Sequence, residues 1–146
     1  VENDGEDHLC EFDYDTMKLH IAAANNPIWI VSQPTIKTDL WEEPWQLSQI
    51  SADKQPIGKF KEEVASFTLK TVSVEKGEMI YLFSDGYADQ FGHTGKKLMT
   101  KKFREILVEI QSMSMHEQEK YLNDFIENWK QDTEQVDDIL VIGVRI

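Results

Sequence analysis

The chain holds a single cysteine, four prolines and seven glycines in 146 residues, and it is short of positive charge. The lone thiol, Cys10, cannot close an intrachain disulfide, so packing must hold the fold and a reducing cytoplasm is the expected setting. So little proline and glycine excludes a collagen-like chain or a low-complexity linker. Lys plus Arg number 15 against 27 Asp plus Glu, a net charge of −12. A surface of that sign repels phosphate backbones and anionic lipid, which argues against nucleic acid and membrane surfaces as main partners. A cation or a basic protein face fits better. Long apolar runs are missing too. The longest are short, such as Met79–Phe83 and Ile139–Ile142, far below the ~20 residues that cross a bilayer. Any membrane link of the parent protein is expected outside this chain.

What remains is an ordinary globular balance, 40% hydrophobic and 29% charged, of a length suited to one domain. The first half reads as strands. His8 to Asp13 is short and mixed, followed by a turn near Tyr14-Asp15. Lys18 to Ala24 puts Leu19, Ile21 and Ala23 on one face, a period of two. Asn25-Asn26-Pro27 is a turn signal, and Ile28 to Val31 follows as an apolar, β-branched strand. Lys18 to Ser32 is therefore expected to be a hairpin.

Residues 33–50 carry Pro34, Pro44, Trp41 and Trp45 and read as a protruding loop or hairpin, an insertion ending in a strand over Trp45 to Ile50. The two tryptophans either pack this segment onto the body or form a partner surface. Ser66 to Val74 alternates, Glu75 to Glu78 is a tight turn, and Met79 to Phe83 is apolar on both faces, so a second hairpin is expected over Ser66 to Phe83.

Beyond Phe83 the period becomes 3.6. Phe103, Ile106, Leu107 and Ile110 mark a helix from about Thr100 to Gln111. Ser114 and Glu117 form a capping box for a second helix to about Lys130, with Leu122, Phe125, Ile126 and Trp129 on one stripe. So close a connection predicts an antiparallel pair. Ile139 to Ile146 is a last apolar strand, expected to be central in its sheet.

Two acidic clusters sit at the ends of apolar strands. Asp85 and Asp89 follow Met79–Phe83, and Asp137-Asp138 precede Ile139. Gly86 lets the backbone turn away and leaves the Asp85 side chain outward. If the two strands are antiparallel neighbours, Asp85 and Asp137 meet at one end of the sheet. Converging carboxylates suit Mg²⁺ or Mn²⁺, hard ions that take oxygen ligands. The plainer alternative is that these aspartates only form turns and cap helices.

The segment Tyr81-Leu82-Phe83-Ser84-Asp85-Gly86-Tyr87-Ala88-Asp89-Gln90-Phe91-Gly92 resembles the metal-dependent serine/threonine phosphatases of the PP2C superfamily, in their SpoIIE-like branch. Asp4-Gly5-Glu6-Asp7, Ala22-Ala23-Ala24-Asn25-Asn26-Pro27, Ala52 to Gly58 and Glu134-Gln135-Val136-Asp137-Asp138-Ile139 resemble further motifs of that branch, in the same order. Glu6 stands where a methionine is usual, and Ala23 where a glycine is.

The resemblance implies an α+β fold, a layered α-β-β-α sandwich with mostly antiparallel sheets and two C-terminal helices before a last strand. It implies two Mn²⁺ or Mg²⁺ ions and a bridging water that attacks phosphorus. On that analogy Asp85 and Asp137 are metal ligands, Asp89 is an accessory acid, and Gly86 and Asp138 support the site from behind the ligands. The family's bridging aspartate and its Asp-x-x-Gly-His-Gly motif are not in this sequence. The histidines are His8, His20, His93 and His116, none in a Gly-His-Gly, and His93 reads as part of an ordinary loop.

Residues 1–146 are therefore expected to be the C-terminal portion of a phosphatase domain, with an incomplete sandwich and little or no turnover alone, and prone to dimerise or exchange strands. The implied activity is hydrolysis of phosphoserine or phosphothreonine on a bacterial regulatory protein such as an anti-sigma-factor antagonist. The alternative is a non-catalytic signalling module of the same fold.

Overall fold

The computed structural model describes residues 7–33, 44–57 and 65–146. Its seven strands are β1 (Asp7–Asp13), β2 (Lys18–Ala24), β3 (Ile28–Ser32), β4 (Gln46–Ile50), β5 (Lys70–Ser73), β6 (Met79–Phe83) and β7 (Val141–Arg145). Its helices are α1 (Gly86–Asp89), α2 (Thr100–Glu109) and α3 (Met115–Lys130), with a 3-10 turn at Ile110–Ser112. Among the described residues the strands form two antiparallel sheets, ordered β1-β2-β5 and β4-β3-β6-β7. The chain is a mixed α+β fold. Among these residues no helix is long and apolar enough to cross a membrane.

Neither expected hairpin forms. β2 pairs with β1 and β5, whereas β3 pairs with β4 and β6 in the other sheet. The Asn25-Asn26-Pro27 turn, with Asn25 at φ 62°, thus carries the chain from one sheet to the other. The turn at Gly77 (φ 91°) does the same between β5 and β6. Burial explains both corrections. β3 and β6 are apolar on both faces, so each needs neighbours on both edges and a layer above and below. β2 buries one face and keeps His20 and Ala22 half-exposed. The two fully buried strands therefore take the middle of the second sheet, and the short turns that precede them carry the chain across rather than closing hairpins.

Two cores result. Leu19, Ile21, Ala23, Ile28, Ile30, Val74 and Ile80 meet between the sheets. On the other face of the second sheet, Trp29, Val31, Met79, Tyr81 and Phe83 meet Phe103, Ile106, Leu107 and Ile110 from α2 and its 3-10 extension, and Leu122 and Ile126 from α3. Phe103 is fully buried, stacked on Tyr87 at 4.5 Å and edge-on to Phe83 at 5.5 Å. A buried ring of this kind contributes about 3–5 kcal/mol. Ser114 and Glu117 close the expected capping box on α3.

Three further expectations change. The strand read over Ser66 to Val74 is regular only over Lys70–Ser73. β7 is the outer strand of its sheet rather than a central one, and Leu140, Ile142 and Val144 beside and along it are 55%, 45% and 42% exposed. Apolar content placed it inside, but in this chain β6 is the one neighbour it pairs with among the described residues. Trp41 and most of the 33–50 segment lie outside the described residues, as do Asp4, Gly5, Glu6 and Gly58. Trp45 is half-buried against the helix-side core, which follows the packing alternative for that residue.

Candidate metal centre

The β6–β7 register runs from Met79 opposite Arg145 to Phe83 opposite Val141. Because the pair is antiparallel, the exit of β6 and the entrance of β7 lie side by side. Asp85 and Asp137 therefore reach one end of the sheet from positions 52 apart in the chain.

Asp85 stands at the N-cap of α1 with φ −70° and ψ −18°, and its side chain makes no capping hydrogen bond. The carboxylate faces Asp137 instead. Partial burial pushes the Asp85 carboxyl above its usual range, the charges of Asp137 and Asp89 push it further, and a hydrogen-bonding contact with Asp137 adds to this, while Lys97 opposes them. Two carboxylates this close repel unless a proton or a cation lies between them. The capping half of the plainer alternative does not apply to Asp85, whose side chain makes no capping hydrogen bond, while its place in the turn before α1 stands.

Asp89, at the end of α1, takes an ion pair from Lys97 at 2.7 Å. Lys97 also lies over the Phe91 ring, 5.7 Å from its centroid. Asp137 accepts from the Asp138 N–H at 2.7 Å, and Gln135 Nε2 donates to the Asp137 carbonyl at 2.8 Å. Gln135 to Asp138 line a shallow polar depression of ≈ 330 Å³. Both Asp137 and Asp138 are exposed. His93 is an exposed loop residue, as its sequence context suggested.

Gly86 is required by contact. A Cβ built on it would lie 2.3 Å from the Asp138 carbonyl oxygen. The backbone after Asp85 and the backbone after Asp137 thus touch at a point where no side chain fits. The helix that begins there is short but anchored. Tyr87 stacks on Phe103 and donates to the Leu122 carbonyl at 2.9 Å. Burial pushes the Tyr87 hydroxyl well above its ordinary pKa, so it stays a donor.

Three further side chains act at this end of the sheet; Ser84 and Gln90 lie within the Tyr81–Gly92 motif but were given no role by it, and Lys97 lies outside it. Ser84 Oγ donates to the Asp138 carbonyl at 2.6 Å. Gln90 is fully buried, and its Nε2 donates to Phe91 O and Glu134 O. Lys97 is the cation of the cluster. Ser84 is one step along the strand register from Phe83, whereas Gln90 closes the C-terminal end of α1. Lys97 comes back through the loop after α1, for which the sequence carries no local signal. Asn26, from the turn between β2 and β3, reaches the Phe83 carbonyl with its Nδ2 at 3.4 Å.

The facing carboxylates of Asp85 and Asp137 offer the oxygen donors that a hard divalent cation takes, although Lys97 sets a competing positive charge beside Asp89. Burial first, and then the nearby Asp137 and Asp89 charges, raise the Asp85 carboxyl, and a cation between the two facing carboxylates would relieve the second of these. Asp85 and Asp137 face one another across the end of the sheet. Among the described residues no group of three His, Cys, Asp or Glu side chains is arranged to hold an ion.

Residues 8–146 match the family model described as Stage II sporulation protein E (SpoIIE). Among solved structures, the chain is similar to the SiaA-PP2C domain of Pseudomonas aeruginosa, with a TM-score of 0.81 and 18% identity over 97% of this chain and 51% of that one. It is similar to the Mn-presoaked phosphatase domain of SpoIIE from Bacillus subtilis, with a TM-score of 0.59 and 15% identity over 97% of this chain and 56% of that one. The RsbU and RsbW domains of Rv1364c from Mycobacterium tuberculosis give a TM-score of 0.66 and 15% identity over 99% of this chain and 37% of that one. The chain thus spans between 37% and 56% of the length of these three structures. No curated protein matches it.

Proposed function

The chain belongs to the SpoIIE family of PP2C-type serine/threonine phosphatases, and we propose that it is the C-terminal portion of such a domain, carrying part of its metal centre. The reaction is hydrolysis of a phosphoserine or phosphothreonine ester on a bacterial regulatory protein in the cytoplasm. One observation carries this reading: Asp85 and Asp137 bring their carboxylates into contact from the ends of paired strands, and the Asp85 side chain caps nothing.

Asp85 and Asp137 would hold Mn²⁺ or Mg²⁺ through their carboxylate oxygens. When bound, such ions supply an activated water for attack on phosphorus and offset phosphoryl charge. Asp89 adds negative charge at the rim, moderated by Lys97. Asp138 presents its carbonyl to Ser84 and its backbone to Gly86, which keeps the Asp137 turn in place.

The domain assignment is supported by the share of the matched structures that the chain spans. It is supported also by the apolar positions Ile142 and Val144 on the outer strand β7. A groove of ≈ 730 Å³ between α3 and β7, lined in part by Tyr81, Leu122, Ile126 and Ile139, would be covered by the rest of an α-β-β-α sandwich. Segment 33–50 is read as an insertion that follows β3 and ends in β4. The partner class is an anti-sigma-factor antagonist, a reading supported by the RsbU and RsbW domains that occur together in one of the similar structures.

The test is Mn²⁺-dependent release of phosphate from a phosphoserine peptide by the full-length protein. Asp85→Asn and Asp137→Asn should each abolish it while leaving the melting temperature within a few degrees. Activity that survives both substitutions sinks the site assignment, and robust turnover by residues 1–146 alone sinks the domain assignment. A second reading, a non-catalytic module of the same fold, is favoured by the lack of a three-residue ligand group among the described residues. It predicts no hydrolysis by the full-length protein with or without Mn²⁺.

A further inference from the structure

Continuing the β6–β7 register one step beyond Phe83 and Val141 pairs Ser84 with Leu140. The Ser84 N–H donates to the Leu140 carbonyl at 3.0 Å. In an antiparallel pair of this kind the partner returns a second bond, from its N–H to the backbone carbonyl opposite. Here the Leu140 N–H donates to Ser84 Oγ at 3.0 Å. A side-chain oxygen therefore closes the last rung of the ladder. The cause is local: the next residue, Asp85, already has helical dihedrals, so the chain leaves the strand where the rung would close.

The same hydroxyl donates to the Asp138 carbonyl at 2.6 Å. One oxygen thus ties the residue before Asp85 to the residue after Asp137 and to Leu140. It accepts one bond and donates one, which a hydroxyl can do and a methyl cannot. The far end of the loop is held separately. Gln90 Nε2 donates to Glu134 O at 3.1 Å, Thr133 Oγ1 to Phe91 O at 2.8 Å, and Trp129 Nε1 to Gln90 O at 3.0 Å. Loss of the Ser84 hydroxyl would therefore loosen the acidic end of the loop while its other end stays pinned.

We infer that Ser84 is a positioning residue: its hydroxyl fixes the gap between the Asp85 and Asp137 carboxylates, and so sets metal affinity, without itself touching the ion. The inference rests on the metal-binding reading above. Threonine keeps a hydroxyl at this position, so Ser84→Thr is the conservative partner of Ser84→Ala.

The experiment uses the full-length protein, with hydrogen exchange of the Leu140 amide measured metal-free and Mn²⁺ affinity measured by calorimetry. Ser84→Ala should speed Leu140 exchange about tenfold, the size expected for losing one acceptor. It should weaken Mn²⁺ binding by roughly 10–100-fold, as removal of a supporting hydrogen bond does elsewhere. Ser84→Thr should restore both. Unchanged Leu140 exchange in Ser84→Ala overturns the proposal. So does Mn²⁺ affinity equal to that of a wild type that binds, or a Thr variant as defective as Ala. Faster Leu140 exchange beside a wild type that takes up no Mn²⁺ overturns the metal reading, and the positioning role falls with it.

Discussion

Gly86→Ala tests the geometry of the acidic site without removing any candidate ligand. The added methyl carbon would sit 2.3 Å from the Asp138 carbonyl oxygen and 2.9 Å from its carbonyl carbon. Ordinary contact between such atoms needs about 1 Å more. Both contacted atoms are backbone, so no side chain can swing aside. Helix α1 is held by the stacked Tyr87–Phe103 pair and by the Tyr87 hydroxyl on Leu122, whereas Asp137 and Asp138 are exposed. The exposed turn is therefore the part that yields. Overpacking of this size costs about 1–3 kcal/mol, which lowers the melting temperature by roughly 2–10 °C in a chain of this length. A shift of about 1 Å in the Asp137 turn also pulls the two carboxylates out of register, and Mn²⁺ affinity should fall roughly 10–100-fold. Gly95→Ala is the control. Gly95 has φ +74° with nothing within 4 Å of a built Cβ, so alanine there brings backbone strain and no clash. Thermal melting and Mn²⁺ calorimetry on both variants in the full-length protein decide the matter. If Gly86→Ala binds Mn²⁺ like wild type while losing no more stability than Gly95→Ala, the contact does not position Asp137 and the reasoning fails.

Acid should loosen the start of α3 before the rest of the fold. Hydrogen bonds from the Ser114 side chain and backbone hold the Glu117 carboxyl below its ordinary pKa of 4.5, so its stabilisation is complete above that value and is lost as pH falls through the lower folded value. Amide exchange near residues 114–117 followed against pH should show this step, and Glu117→Gln should remove it; an identical profile in the variant would refute the assignment. The apolar edge at β7 predicts that residues 1–146 alone self-associate at micromolar concentration, and that Ile142→Lys suppresses it. A light-scattering mass of 17.0 kDa for the unsubstituted chain would count against this.

Periodicity located most elements of the fold, because it reports burial along one segment. The Phe103, Ile106, Leu107, Ile110 spacing and the Ser114–Glu117 box placed α2 and α3 within a residue or two. The alternation of Leu19, Ile21 and Ala23 placed β2. Pairing was another matter. Short turns after β2 and β5 suggested hairpins, but a turn fixes only how fast the chain reverses, and both turns lead to the opposite sheet. The double-faced apolar character of β3 and β6 held a hint, since such strands need cover on both faces and belong at the middle of a sheet. For β7 the same composition misled. Ile142 and Val144 point toward the inter-sheet side, opposite Leu82 and Ile80, yet stay 45% and 42% exposed at the rim. Apolar content reveals what a strand could bury and not how much cover it receives.

The candidate site was legible for the reason the hairpins were not. Asp85 and Asp137 are each defined by the end of an apolar run, so a single assumption, that β6 and β7 are antiparallel neighbours, brought them together. Which groups hold them there could not be read from residue type. Ser84 supplies a rung of the ladder, Gly86 supplies only the absence of a methyl group, and Gln90 acts from full burial through its amide. All three act on the backbone of the Glu134–Leu140 segment rather than on a carboxylate. This division follows from the electrostatics. Like charges in contact push apart, so they cannot hold their own spacing. Neutral backbone contacts, rooted in β6, α1 and the aromatic cluster around Phe103, must impose it before any cation arrives. On the proposed metal-binding reading, the spacing is thus set by the sheet, and relief of the carboxylate repulsion would add to the affinity for a cation.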